Sequence, residues 1–181
     1  MKEWLDKKFN VEVDEDFVKK SIDTIKSKVA ERAKDKEQLK KCFNLIDLTT
    51  LNSTDSLERG EMFGERVSKF QETYPNFPNV AAICIYPSLV SAVRQSLTAK
   101  DVKIASVAAG FPASQTFIDI KLSECQMCLE MGADEIDVVI SLGHFLAGDY
   151  FTVFSELQQI KAVAGSSQVK VILETGALPS L

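Results

Sequence analysis

The stretch Glu135-Ile-Asp-Val-Val-Ile-Ser141 is apolar enough to be a buried strand, yet it carries a carboxylate at its centre. On a strand, alternate residues share a face, so Glu135, Asp137 and Val139 point the same way. A charge in such a run is costly unless something pairs with it. The same pattern recurs on both sides. Leu45-Ile-Asp-Leu-Thr-Thr-Leu51 holds Asp47, and Ala81-Ala-Ile-Cys-Ile-Tyr-Pro87 holds Cys84 and Tyr86 two residues apart. Val102-Lys-Ile-Ala-Ser-Val-Ala-Ala109 reads as a further strand, and Val169-Lys-Val-Ile-Leu-Glu-Thr175 carries Lys170, Glu174 and Thr175. Residues 56–73, 88–97, 114–131 and 150–163 read as helices between them. Short apolar strands alternating with helices predict βαβ units, a parallel sheet and right-handed crossovers. An open doubly wound sheet and part of an eight-fold barrel both fit. No Gly-x-Gly-x-x-Gly or Gly-x-x-x-x-Gly-Lys-Ser/Thr follows any strand, which argues against dinucleotide and nucleoside-triphosphate sites. Polar residues on several strands favour the barrel, whose inward side chains build a site at one end.

The chain has 181 residues, 45% hydrophobic and 26% charged, with a net charge of -5. This is an ordinary balance for one globular domain. A mildly acidic chain without a basic block is a poor nucleic-acid binder. No apolar run approaches the roughly 20 residues of a membrane helix. The first residues, Met-Lys-Glu-Trp-Leu-Asp-Lys-Lys, lack an apolar signal core, so a cytoplasmic setting is expected. The cysteines are Cys42, Cys84, Cys125 and Cys128. Only Cys125-Gln-Met-Cys128 has ligand-like spacing, and zinc would need a second pair. Ile118, Leu122, Cys125 and Leu129 share a helix face, so these cysteines are expected in the core and no metal site is expected. Residues 1–44 form a separate, highly charged extension. Val18, Ile22, Ile25, Val29 and Ala33 recur at helical spacing, predicting one long amphipathic helix over 15–42, packed on the main domain of residues 45–181 or on a partner.

The segments Ile46-Asp-Leu-Thr-Thr-Leu51, Ala82-Ile-Cys-Ile-Tyr-Pro87, Gly110-Phe-Pro112, Gly132-Ala-Asp-Glu-Ile-Asp-Val-Val139, Gly143-His-Phe-Leu-Ala-Gly-Asp-Tyr150 and Lys170-Val-Ile-Leu-Glu-Thr-Gly176 follow one another in the order and spacing of a known family. In them the chain resembles deoxyribose-phosphate aldolase, a TIM (β/α)8-barrel family, from about residue 45 to the end. The resemblance implies an α/β fold with the first five barrel strands present. It implies a lyase that cleaves 2-deoxy-D-ribose 5-phosphate reversibly to acetaldehyde and D-glyceraldehyde 3-phosphate, with no metal and no cofactor. In that family a lysine forms a Schiff base that acts as the electron sink, and a carboxylate, a second lysine and water move the protons.

Carried over by position, the proton-relay aspartate matches Asp137 and the fifth-strand lysine matches Lys170. The first-strand aspartate matches Asp47 and the second-strand cysteine matches Cys84. Asp47, Thr49, Cys84, Tyr86 and Phe111 form the expected pocket-lining set; sheet packing is the competing reading for Thr49, and core packing for Tyr86. Lys170 is expected to pair with Asp137 or Glu174. His144 is expected in a surface loop. The family's imine-forming lysine lies in a sixth-strand Lys-Thr-Ser-Thr-Gly segment that these 181 residues do not contain. The alternative reading is therefore an inactive fragment or pseudoenzyme that needs the remaining strands or a partner. The expected ligands are a phosphosugar and small aldehydes, with neither nucleic acid nor membrane involved. Unpaired edges on the first and fifth strands also raise the prospect of a homo-oligomer or a swapped assembly.

Overall fold

The computed structural model describes residues 14–178. Two helices lead into the sheet, α1 (Glu15–Arg32) and α2 (Lys36–Phe43). The alternating unit then runs β1 (Asp47–Thr49), α3 (Leu57–Ser68), α4 (Phe70–Thr73), β2 (Ala82–Ile85), α5 (Val90–Ser96), β3 (Lys103–Ala108) and α6 (Ile118–Glu130). It continues through β4 (Glu135–Val139), α7 (Leu142–Leu146), α8 (Tyr150–Ala164) and β5 (Gln168–Ile172). All neighbouring strands are parallel, and the five-stranded sheet has the order β1-β2-β3-β4-β5. A doubly wound sheet reverses direction partway and reads out of sequence. Here each strand is laid beside the last, which is the winding of a barrel. This decides between the two architectures in favour of the barrel family.

The register sorts the side chains onto two faces. Thr49 stands opposite Cys84, Cys84 opposite Ala105, Ala105 opposite Glu135 and Asp137 opposite Lys170. These point inward. The intervening residues Ile83, Ile85, Ile104, Ile136 and Val138 point outward and are fully buried against Val90, Val93, Cys125 and Cys128 of the helices. Burying a Val or Ile side chain contributes about 1.5–3 kcal/mol, so this outer layer supplies most of the cohesion. The inner face carries a smaller apolar patch, Ala82, Cys84, Ala105 and Val107, with Leu51, Tyr86 and Phe111 against it. Gly64 lets α3 approach α5, because a Cβ there would sit 2.2 Å from Ser96 Oγ and 3.2 Å from the Leu97 backbone nitrogen.

The single helix expected over 15–42 is two helices. Asp35 divides them: its Oδ1 accepts from the backbone N–H of Glu37 at 2.9 Å and of Gln38 at 3.4 Å, capping α2. The expected packing of the apolar stripe on the domain is also absent. Val18, Ile22, Ile25 and Val29 are all exposed, and α1 buries no residue among those described. Cys125 and Cys128 lie in the core as expected, each with a free thiol. Among the described residues, no helix is long and apolar enough to cross a membrane.

Candidate functional site

The inner face gathers charge from strands that are distant in the chain. β5 supplies Lys170, whose ammonium donates a hydrogen bond to Asp47 Oδ2 on β1, 123 positions away. The two residues stand on opposite edge strands, so the sheet curls enough for its edges to face each other. The same ammonium lies 3.2 Å from Glu135 Oε2 and 3.1 Å from Asp137 Oδ1, both on β4. Glu135 is held from its other side by Lys103 of β3, at 2.6 Å. The Cys84 thiol of β2 donates to Asp137 Oδ2 at 3.7 Å. Three carboxylates thus share two ammoniums, leaving the cluster one negative charge.

Asp137 is buried, with its residue surface 9% exposed. Burial pushes its carboxyl above the ordinary aspartate value, and the Lys170 charge offsets only part of that. Its Oδ1 is buried without a hydrogen bond. The Lys170 ammonium lies 3.1 Å from that oxygen as an ion pair. Burial pulls the Lys170 ammonium downward, but the hydrogen bond to Asp47 and the charge of Asp137 outweigh it, so the amine is held above its ordinary value. Cys84 is pushed up to about 11, first by burial and then by the Asp137 charge. It is a thiol at neutral pH, a poor nucleophile. Asp137 is therefore a buried carboxylate of raised proton affinity, beside a cation that keeps its proton.

The structure brings Asp47, Cys84, Asp137 and Lys170 together. Tyr86 and Phe111 pack edge to face, with ring centroids 6.4 Å apart, against the apolar patch beside the cluster. Thr49 faces Cys84 in register, and its hydroxyl donates to its own strand at the Asp47 carbonyl. Glu174 is not a partner of Lys170. The strand ends at Ile172, and Glu174 sits exposed with φ 53° in the left-handed region. His144 lies on the short helix α7 rather than in a loop, half-exposed and 3.0 Å from Asp149. Sequence reasoning assigned nothing to Glu135 or Lys103. The signal was present in the two-residue spacing of Glu135 and Asp137, but their partners depend on strand register. Among the described residues, no cluster of His, Cys, Asp and Glu is arranged to hold a metal ion.

A singly wound parallel α/β sheet with a lysine–carboxylate cluster on its inner face defines the class: a barrel-family protein with its polar site inside the sheet. Residues 41–179 match the family described as DeoC/LacD family aldolase, and the chain belongs to that family. The deoxyribose-phosphate aldolase of Homo sapiens is 35% identical over 153 residues, which is 79% of this chain and 48% of the relative. A Caenorhabditis elegans relative is 34% identical over 178 residues, 96% of this chain and 58% of its own length, so its similarity extends into the N-terminal region. Among solved structures, one titled "QR15, an Aldolase" is 28% identical with a TM-score of 0.66, covering 76% of this chain and 57% of that one. A structure titled "Unique tetrameric structure of deoxyribose phosphate aldolase from Aeropyrum pernix" is 26% identical with a TM-score of 0.60, covering 77% of this chain and 55% of that one. The chain spans about half the length of the curated relatives it matches.

Proposed function

We propose that this chain carries the proton-relay half of a Schiff-base aldolase site acting on 2-deoxy-D-ribose 5-phosphate. The observation that supports this most directly is Asp137, a buried carboxylate of raised proton affinity with the Lys170 cation 3.1 Å from its Oδ1. In the proposed reaction, a lysine amine adds to the substrate aldehyde and loses water to form an imine. The C3 hydroxyl gives up its proton through water to Asp137. The C2–C3 bond breaks, its electron pair moves into the imine to form an enamine, and D-glyceraldehyde 3-phosphate leaves. The proton returns to C2, and hydrolysis of the imine releases acetaldehyde. Raised proton affinity suits Asp137 to accept and return that proton.

Lys170 does not supply the imine nitrogen in this scheme. An amine must be neutral to attack a carbonyl, and Lys170 is held charged by Asp47 and Asp137. Its role is to hold Asp137 in place and to balance the charge that passes through it. We assign the imine to the lysine of the family's Lys-Thr-Ser-Thr-Gly segment, which these 181 residues do not contain. The second reading rests on the same observation: by itself the chain is non-catalytic, and it acts only with a partner or with further strands that supply the imine-forming lysine. Treatment with acetaldehyde and borohydride, followed by intact-mass and peptide analysis, tests this assignment. The expected result is no ethyl adduct at Lys170 beyond the level of surface lysines. A stoichiometric adduct mapped to Lys170 would overturn the assignment and make it the nucleophile.

A further inference from the structure

We propose that a second cleft, separate from the lysine–carboxylate cluster, binds an uncharged sugar ring. It lies between the segment after β3 and the segment after β4, has a volume of about 610 Å³, and shares no lining residue with the cluster. That volume suits a small ligand. Its floor is a buried polar triad. The Lys121 ammonium, 1% exposed, donates to Ser141 Oγ at 2.7 Å and to Glu156 Oε2 at 3.0 Å, and Ser141 donates to Glu156. An ammonium has three N–H donors. The third finds no acceptor among the described residues. Among the described residues the Ser114 hydroxyl, also buried, reaches only Ser141, at the 3.5 Å limit of a hydrogen bond. Its backbone sits at φ 54°, a left-handed conformation that costs a serine energy. The Gln115 amide on the wall brings both a donor and an acceptor.

Charge and shape narrow the ligand. Among the lining residues Lys121 is balanced by Glu156, so the cleft offers no net charge to an anion or a cation. Donors and acceptors are both present, which suits hydroxyl groups that act as either. Phe117 stands on the rim with 82% of its surface exposed, an apolar plate in an otherwise polar wall. A sugar ring has the matching construction: a C–H face to lie on the aromatic ring and hydroxyls around its edge to meet the amide and ammonium. A phosphate would meet the Glu156 carboxylate, and a hydrocarbon would leave the polar floor unpaired.

The test uses methyl β-D-ribofuranoside and the full chain. Its capped anomeric carbon cannot open to an aldehyde or form an imine, so the outcome is independent of the aldolase proposal. Saturation-transfer NMR is expected to show contact at the ring C–H protons. Phe117→Ala and Gln115→Ala are each expected to weaken binding at least five-fold. Phe117 is exposed, so its replacement does not threaten the fold. No transfer at any concentration up to tens of millimolar would overturn the proposal. Transfer that survives both substitutions would overturn it too, by placing the sugar elsewhere.

Discussion

Asp137 illustrates how a single side chain links site and stability. A carboxyl whose pKa rises on folding binds protons more tightly in the native state than in the unfolded chain. Its contribution to stability therefore falls as pH increases from the unfolded value of about 3.9 through the higher folded value. The raised pKa of Asp137 already includes the attraction of Lys170, so burial is the larger effect. Asp137→Asn is expected to raise the melting temperature at pH 7 by a few degrees, with the gain shrinking as pH approaches 4. Thermal melts across that range check this; a lower melting temperature at pH 7 would show that pairing with Lys170 outweighs burial. Asp137 and Lys170 were legible in the sequence because a charge inside an apolar strand needs a partner. The pairing of Lys170 with Asp137 was among the expectations, whereas its contacts with Asp47 and Glu135 were not. Asp47 and Lys170 meet across 123 positions, and only the curl of the sheet makes them neighbours.

At the scale of elements, the same physics ties α6 to α8. Lys121 of α6 and Glu156 of α8 form an ion pair at 3.0 Å whose lysine side chain is 1% exposed. Removing one partner of a buried pair leaves the other charge uncompensated. Lys121→Met is therefore expected to lower the unfolding free energy by about 3–5 kcal/mol. The double substitution Lys121→Met with Glu156→Leu should recover much of that loss, because a well-packed apolar pair avoids the desolvation cost. Urea titrations of both variants check this, and a double variant as unstable as the single one would count against it. The strands and helices here were readable because period-2 and period-3.6 patterns alternate with clear breaks. The extension was misread because the helix was carried on to residue 42 although its apolar stripe ends at Ala33, just before the break at Asp35. A local signal lay beside it: Asp35-Lys-Glu-Gln38 has the spacing of a capping box, with an acid at the cap and a glutamine three residues on. The cap bonds observed at Asp35 show that this local signal starts a second helix.

Across the molecule, burial is uneven in a way that predicts association. The central strands β2 and β4 are buried throughout, while among the described residues β1 and β5 each pair on one side only. Near those edges the chain exposes Leu45, Ile46 and Leu48 on one side and Val171 and Leu173 on the other. An unpaired strand edge flanked by exposed aliphatic side chains is a template for a further strand. The sheet's curl, in keeping with the barrel expected from sequence, brings the two edges together around a charged interior rather than leaving a flat ribbon. We propose that the 181-residue chain in isolation self-associates through these edges. Light scattering coupled to size-exclusion chromatography is expected to give a mass above the 20.0 kDa of one chain. Leu48→Lys and Val171→Lys should each shift the distribution toward the monomer, because an edge lysine must lose its hydration to be covered. Both positions lie on the outward face of the sheet, alternating with Asp47, Thr49 and Lys170, so the substitutions leave the inner cluster untouched. A compact monomer that unfolds in one cooperative transition at micromolar concentration would rule out edge pairing. It would mean that the Asp47–Lys170 contact closes the sheet well enough for the five strands to stand alone.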